Sequence, residues 1–417
     1  MLIEPLVSLI DADVVVPGSK SITNRALVAA ALANGTSELR GVLDADDTKA
    51  MLGVIQELGA GVDPLGQPDA YAITGTAGVL KPGPLTVDVR MSGTTARFAT
   101  PLAARGAGVY IIDGAPEMRA RPMGETVRAL RSLGVTIAPE SLPINLRGGF
   151  DGGSLTLGAN VSSQFASGML LASPGTSNGL TLDLEGQVVS RPYLDMTCQV
   201  MRAFGASVEQ PSANQFVVAA NTGYTANKYI IEPDASAASY FFAAAAVSGG
   251  RVKISGLGKN ALQGDVGFVE VLAAMGADVT VAEGFIEVQG TGALTGIDLD
   301  MSQISDTAQT LAAIAPFAQG PVRVTGIDFI RRKETDRIKA VVTELQRMGI
   351  VAVEQEDGFL IQPGMPQPAT IETYHDHRMA MSFAITGLMA PGIEIADPGC
   401  VDKTFPDYWQ VLDSLRG

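Results

Sequence analysis

Histidine is nearly absent from the chain: two occur in 417 residues, His375 and His377, in one short stretch. Cysteine is equally scarce, with only Cys198 and Cys400. So few soft ligands leave no complete shell for zinc, and no metal is expected. Two cysteines also make no disulfide framework, which points to a reducing cytoplasm. Basic residues are outnumbered, 29 against 44 acidic, for a net charge of −15. Such a field repels polyanions, so neither nucleic acid nor an anionic membrane is the expected partner. No apolar run approaches the about 20 residues of a membrane span. The first residues, MLIEPLVSLIDAD, lack the basic segment and apolar core of a targeting peptide. Neither G-x-x-x-x-G-K-[ST] nor G-x-G-x-x-G after a strand occurs, so no nucleotide cradle is visible. Gly175, Ser177 and Gly179 spell G-x-S-x-G, but between a helix and a following strand, the reverse of a nucleophile elbow. Asn160 heads a glycosylation sequon, which means nothing without secretion.

What is present is small and apolar. The chain is 46% hydrophobic with 47 glycines, long enough for two or three domains, and reads as an Ala- and Gly-rich α/β protein. Of its cations 20 are arginine and 9 lysine, and arginine is the side chain suited to a bidentate grip on carboxylate or phosphate. Small anionic ligands are the natural partners of such a composition.

The chain repeats itself six times. Six helix ends read alike, at Leu58, Leu133, Phe204, Met275, Met348 and Leu415, spaced 75, 71, 71, 73 and 67 residues apart. A second ladder of strands reaches Gly41, Gly114, Gly186, Gly256, Gly326 and Gly399, spaced 73, 72, 70, 70 and 73. Before each strand lies an Ala-rich segment of helical length, such as SAASYFFAAAAVSGG, apolar almost all round and hence a buried helix. Each copy reads as buried helix, strand, amphipathic helix and further short strands. The sixth copy stops before its closing strands, and residues 1 to 18, with the run DADVVVPG, can supply one. The two chain ends are therefore expected to meet.

The starts of the six buried helices are polar. In order they carry Ser19, Lys20 and Ser21; Ser92, Gly93 and Thr94; Ser162, Ser163 and Gln164; Asp234 and Ser236; Ser305 and Asp306; and His375 to Arg378. A helix N-terminus offers unpaired N–H groups and about half a positive charge, and so attracts anions. Ordinary capping explains Ser, Thr and Asp at any one of these helices. It does not explain Lys20, Arg25 and Arg378 on otherwise apolar helices. The loops after the strand ladder add Asp46 and Asp47, Arg119 and Arg121, Ser190, Arg191 and Tyr193, Gln263 and Asp265, Lys333 to Arg337, and Lys403 with Asp407. RRKETDRIK crowds five cations and two acids into nine residues, either as a solvated salt-bridged face or as an anion clamp.

From Pro17 to Arg25 the run PGSKSITNR resembles the enolpyruvyl transferases, and within them the branch acting on shikimate 3-phosphate. SGTTARF from Ser92, RARPMG from Arg119, SSQF from Ser162, SRPYLDMT from Ser190, RRKETDR from Arg331, DHRMAM from Asp376 and DKTFPDY from Asp402 continue that resemblance in order. It implies a two-lobed inside-out α/β barrel of six βαβαββ copies, three per lobe. One lobe would hold residues 1–18 and 233–417, the other 19–232, with the active site in the cleft between them. It also implies transfer of the enolpyruvyl group of phosphoenolpyruvate to the 5-hydroxyl of shikimate 3-phosphate, in aromatic amino acid biosynthesis, with no metal or organic cofactor. The protein would act as a monomer.

Carried onto this chain, the resemblance places Lys20, Ser21, Arg25, Ser162, Ser163, Gln164, Ser190, Asp306 and Lys333 about shikimate 3-phosphate. Lys20, Gly93, Arg121, Gln164, Arg337, Arg378 and Lys403 would surround phosphoenolpyruvate. Asp306 becomes the base for the hydroxyl, Glu334 the partner for proton transfer at the methylene carbon, and Lys20 an aid to that step. Gly93 leaves room where the family's inhibitor glyphosate sits. Met91 and Phe329 replace asparagines common in the family, and no ligand role is assigned there. The rival branch acting on UDP-N-acetylglucosamine carries Lys-Asn where this chain has Lys20 and Ser21, and a reactive cysteine in the loop from Gly114, which here has none. A non-catalytic six-repeat clamp for polyanions is opposed by the net charge and by acids interleaved with the cations.

Overall fold

The computed structural model describes residues 1–158, 162–186, 188 and 190–416, so Asn160 lies outside the described residues. The chain forms two compact units, Gly18–Ile231 and Met1–Pro17 with Glu232–Gly417, each crossing one residue earlier than the expected boundaries.

Unit Gly18–Ile231 contains three copies of one pattern. In the third, Gly153–Gly158 runs parallel to Leu180–Glu185, joined through the buried helix Ser163–Ala172. Leu180–Glu185 then pairs antiparallel with Gln215–Val218, itself the partner of Val208–Ser212. The second copy repeats this with Leu85–Asp88, Val109–Asp113, Ile144–Arg147 and Thr136–Ala138. The first borrows its parallel strand from the end of the unit: Lys228–Ile230 pairs with Thr36–Arg40, so the three copies close into a ring. Helices Lys20–Leu32, Gly93–Ala103 and Ser163–Ala172 pack on one another inside, and the sheets lie outside.

The other unit follows the same plan. Asp11–Val14 runs parallel to Arg251–Ser255, which Phe285–Gln289 and Asp278–Val281 complete into a sheet. Ile297–Asp300, Val322–Thr325, Gly358–Ile361 and Ala352–Gln355 form the next. The sixth copy has only the parallel pair Ala369–Ile371 and Ile393–Ile395, to which Leu2 adds an antiparallel bridge at Glu394. The N-terminal segment thus supplies the strand that the truncated sixth copy cannot send onward, and the termini meet.

Close packing explains the alanines. In Ala235–Ser248 every residue from Ala235 to Val247 is buried, and small side chains let three helices approach at the centre of each unit. The glycine ending each amphipathic helix has a physical cause: Gly59, Gly134, Gly205, Gly276 and Gly349 adopt φ between 75° and 109°, the left-handed turn that stops a helix. No described helix is long and apolar enough to cross a membrane.

Candidate active site

Capping and ligand duties divide between neighbours. Ser19, Ser92, Ser162, Asp234 and Asp376 each accept a backbone N–H and cap a buried helix. The residues after them are left for other work. The fifth helix instead opens as a 3-10 turn, Ser305–Thr307, without a side-chain cap.

Within Gly18–Ile231, Lys20 Nζ lies 3.4 Å from Asp47 Oδ2. Arg25 is 2% exposed, donates to the Ser21 carbonyl at 2.8 Å, Thr197 Oγ1 at 2.7 Å, Ser167 Oγ at 3.2 Å and the Tyr193 carbonyl at 3.2 Å, and stacks near Phe98. Burial pushes its guanidinium down to about 10, since these neutral partners do little to oppose it. Arg121 lies flat against Gly93: a Cβ there would meet its Cζ at 2.7 Å and both terminal nitrogens at 2.8 Å. Gln164 donates to Thr94 Oγ1 at 3.2 Å and accepts from Arg97 Nη1 at 2.5 Å. Ser162 and Ser163 are half-buried at the start of their helix, and Ser190 is held at φ 54°, ψ 40° before Arg191–Ala203. Lys20, Ser21 and Arg25 therefore gather on one helix start, and Gly93, Arg121 and Gln164 on the next two.

The other unit holds a denser cluster. Arg337, 2% exposed, binds three carboxylates: Asp376 Oδ2 at 2.7 Å, Glu334 Oε2 at 2.7 Å and Asp306 Oδ1 at 3.2 Å. Burial opposes its charge, but Asp376, Glu334 and Asp306 outweigh burial and hold the guanidinium above its ordinary value. Arg378 Nη2 reaches Asp306 Oδ2 at 2.8 Å, and Lys403 Nζ reaches Glu334 Oε1 at 3.1 Å. Asp306 thus sits between two arginines, and Glu334 between an arginine and a lysine. Lys333 is half-buried beside Glu334, in the turn leading to Arg337–Arg347.

RRKETDRIK serves both readings of it. Arg331 pairs with Asp336 and Glu354 as a structural salt bridge, whereas Glu334 and Arg337 join the buried cluster. Arg119 pairs with Asp113 and Arg191 with Asp195. Met91 is 43% exposed, and Phe329 packs against the core.

Sequence reasoning overlooked Arg97 and Tyr240. Arg97 lies over the Phe165 ring and fixes Gln164, and its signal was a cation inside an otherwise apolar helix. Tyr240, whose hydroxyl lies 3.4 Å from Arg378 Nη1, gave no signal within an apolar run.

A family model described as EPSP synthase (3-phosphoshikimate 1-carboxyvinyltransferase) matches residues 7–412. A 3-phosphoshikimate 1-carboxyvinyltransferase of Trichormus variabilis is 47% identical over 413 residues, covering 98% of this chain and 97% of that one. One of Aliivibrio fischeri is 40% identical over 417 residues, with 98% of each covered. Among solved structures, EPSP synthase from Acinetobacter baumannii superposes with a TM-score of 0.86 at 26% identity, covering 99% of this chain and 97% of that one.

Proposed function

The chain belongs to the EPSP synthase family and its activity is that of a 3-phosphoshikimate 1-carboxyvinyltransferase, and from this premise we propose how its own residues share the reaction. The acceptor is shikimate 3-phosphate. The donor is phosphoenolpyruvate, and phosphate leaves.

Lys20, Ser21, Arg25, Ser162, Ser163, Gln164, Ser190 and Lys333 hold the acceptor, with Asp306 at its 5-hydroxyl. Gly93, Arg121, Arg337, Arg378 and Lys403 hold the donor, together with Lys20 and Gln164. In the first step Glu334 gives a proton to the methylene carbon, the acceptor oxygen bonds to the carbon bearing phosphate, and Asp306 takes the hydroxyl proton. In the second, the carbon–oxygen bond to phosphate breaks, Glu334 regains a proton from the methyl group, and the double bond re-forms. Lys20 supports this proton exchange. The reaction is read as cytoplasmic and the enzyme as a monomer.

One observation carries the reading: Asp306 and Glu334 share Arg337, while Arg378 and Lys403 hold their far sides. Cations beside a carboxylate attract anionic substrates and favour its charged, proton-accepting form. That form suits Asp306 and the return of the proton to Glu334, while the proton that Glu334 first gives is the harder transfer and the one Lys20 supports. A plain anion-binding scaffold has no use for carboxylates in its cation cluster. The test is phosphate release from phosphoenolpyruvate, with shikimate 3-phosphate or UDP-N-acetylglucosamine as acceptor and with chelator added to both. Release only with shikimate 3-phosphate, unchanged by chelator, is expected. Release with the nucleotide sugar instead would reject the acceptor assignment, and loss on chelation would reject the metal-free mechanism.

A further inference from the structure

Ser236 and Asp265 stand behind Arg378 and belong to neither substrate set. Ser236 opens the helix Ala235–Ser248 and is 7% exposed, and Asp265, on the 3-10 turn Gly264–Gly267, is 5% exposed. The Ser236 hydroxyl donates to Asp265 Oδ2. Its oxygen accepts from Arg378 Nη2 at 3.4 Å, the nitrogen that also donates to Asp306 Oδ2 at 2.8 Å. Arg378 Nη1 lies 3.4 Å from the Tyr240 hydroxyl.

A serine hydroxyl has one proton and two lone pairs. An ionised Asp265 takes that proton, so what remains toward Arg378 is lone-pair density. The carboxylate therefore sets the polarity of the Ser236 hydroxyl that faces Arg378. Neutral oxygens from Ser236 and Tyr240 then orient the guanidinium beside the Asp306 carboxylate with which it also pairs. A buried carboxyl is an unfavourable way to do mere packing. Burial pushes Asp265 up to about 7, the Asp306 charge adds to this, Arg378 opposes it, and Asp234 at the same helix end adds a smaller push. A buried acid maintained at such a cost, next to a cluster of reacting groups, is the pattern of a site and not of a core.

We propose that Asp265 is a positioning residue for the donor substrate: through Ser236 it sets the orientation of the Arg378 guanidinium, and so the grip on phosphoenolpyruvate. This rests on Arg378 being a donor-site residue, as read above.

The test is steady-state phosphate release at pH 8 by the full-length Ser236→Ala, Asp265→Asn and double variants, with Arg378→Lys as reference. The KM for phosphoenolpyruvate rises about tenfold in each single variant and no further in the double variant, because both cut one link. The KM for shikimate 3-phosphate stays within about twofold. The parent's advantage over Asp265→Asn grows as pH rises through about 7, where Asp265 ionises, and shrinks toward pH 6. Asp265→Asn melts no lower than the parent at pH 8, where the replaced carboxyl is charged and buried. Additive losses, both KM values rising together, or a lower melting point with an unchanged donor KM would each overturn the proposal and leave Asp265 a structural residue. If Arg378→Lys raises the donor KM while the other variants do not, the relay alone fails. If Arg378→Lys leaves the donor KM unchanged, the donor-site reading fails and the proposal falls with it.

Discussion

Arg337 and Asp376 meet through two contacts, Nε to Oδ2 at 2.7 Å and Nη2 to Oδ1 at 3.3 Å, with side chains 2% and 0% exposed. The same carboxylate caps the helix His377–Met389 through the Arg378 backbone N–H at 2.9 Å. One buried group therefore aims an arginine of the cluster and starts the helix that carries another.

Asp376→Ala removes both services and leaves the buried guanidinium to Glu334 and Asp306 alone. Its unfolding free energy should fall by about 1–3 kcal/mol, the usual cost of taking one partner from buried donors. Asp376→Asn keeps a capping oxygen, and about 1 kcal/mol of the loss should return. Urea unfolding of the full chain, following the transition of the unit that holds Asp376, measures both. Equal losses in the two variants would show that the cap contributes nothing.

Gly93→Ala tests the space beside Arg121. The Cβ would press on the end of a flexible side chain, so the fold should keep its stability to within about 0.5 kcal/mol. The guanidinium must move, and the donor KM should rise about tenfold, a loss of roughly 1.4 kcal/mol. Inhibition by glyphosate should weaken in parallel. An unchanged donor KM would remove Arg121 from the donor set.

Asp306→Asn preserves shape and removes the proton acceptor. Turnover should drop by about 10²–10⁴ while both substrates still bind. Full turnover with normal binding would place the base elsewhere.

The two thiols should be inert in the folded protein. Burial pushes Cys198 up to about 11 and Cys400 up to about 12, and Cys198 is 1% exposed. The thiolate is the reacting form, so alkylation at pH 8 should leave activity intact and mark both residues only after unfolding. Rapid alkylation with loss of activity would show a cysteine within the working site.

The repeat was legible because its punctuation is steric. Gly59 and Gly349 end their helices at φ 108° and 75°, where other residues are strained, so a glycine recurs wherever the turn does. Alanine runs marked the central helices for a similar reason of space. The polar helix starts drew attention to Lys20, Arg25 and Arg378, cations that ordinary capping of apolar helices does not explain. Periodicity does not say which buried polar groups meet. The pairing of Arg97 with Gln164 spans 67 residues, and that of Arg378 with Ser236 spans 142. Such contacts depend on how three helices settle against each other, which local pattern does not encode. The acids were legible as a group, but the division of Arg337 among Asp376, Glu334 and Asp306 was not.

The strand Asp11–Val14 has a consequence for the growing polypeptide. Its partner, Arg251–Ser255, emerges 240 residues later, after the whole of Gly18–Ile231 has been made. At about 5–20 residues per second, translation leaves that strand without its neighbour for roughly 12–50 s. Gly18–Ile231 is continuous and can complete its ring in that interval. That strand thus waits through the making of all of Gly18–Ile231 and then joins Arg251–Ser255, the first strand made in the remainder of its own unit, so this sheet is begun by two pieces translated 240 residues apart.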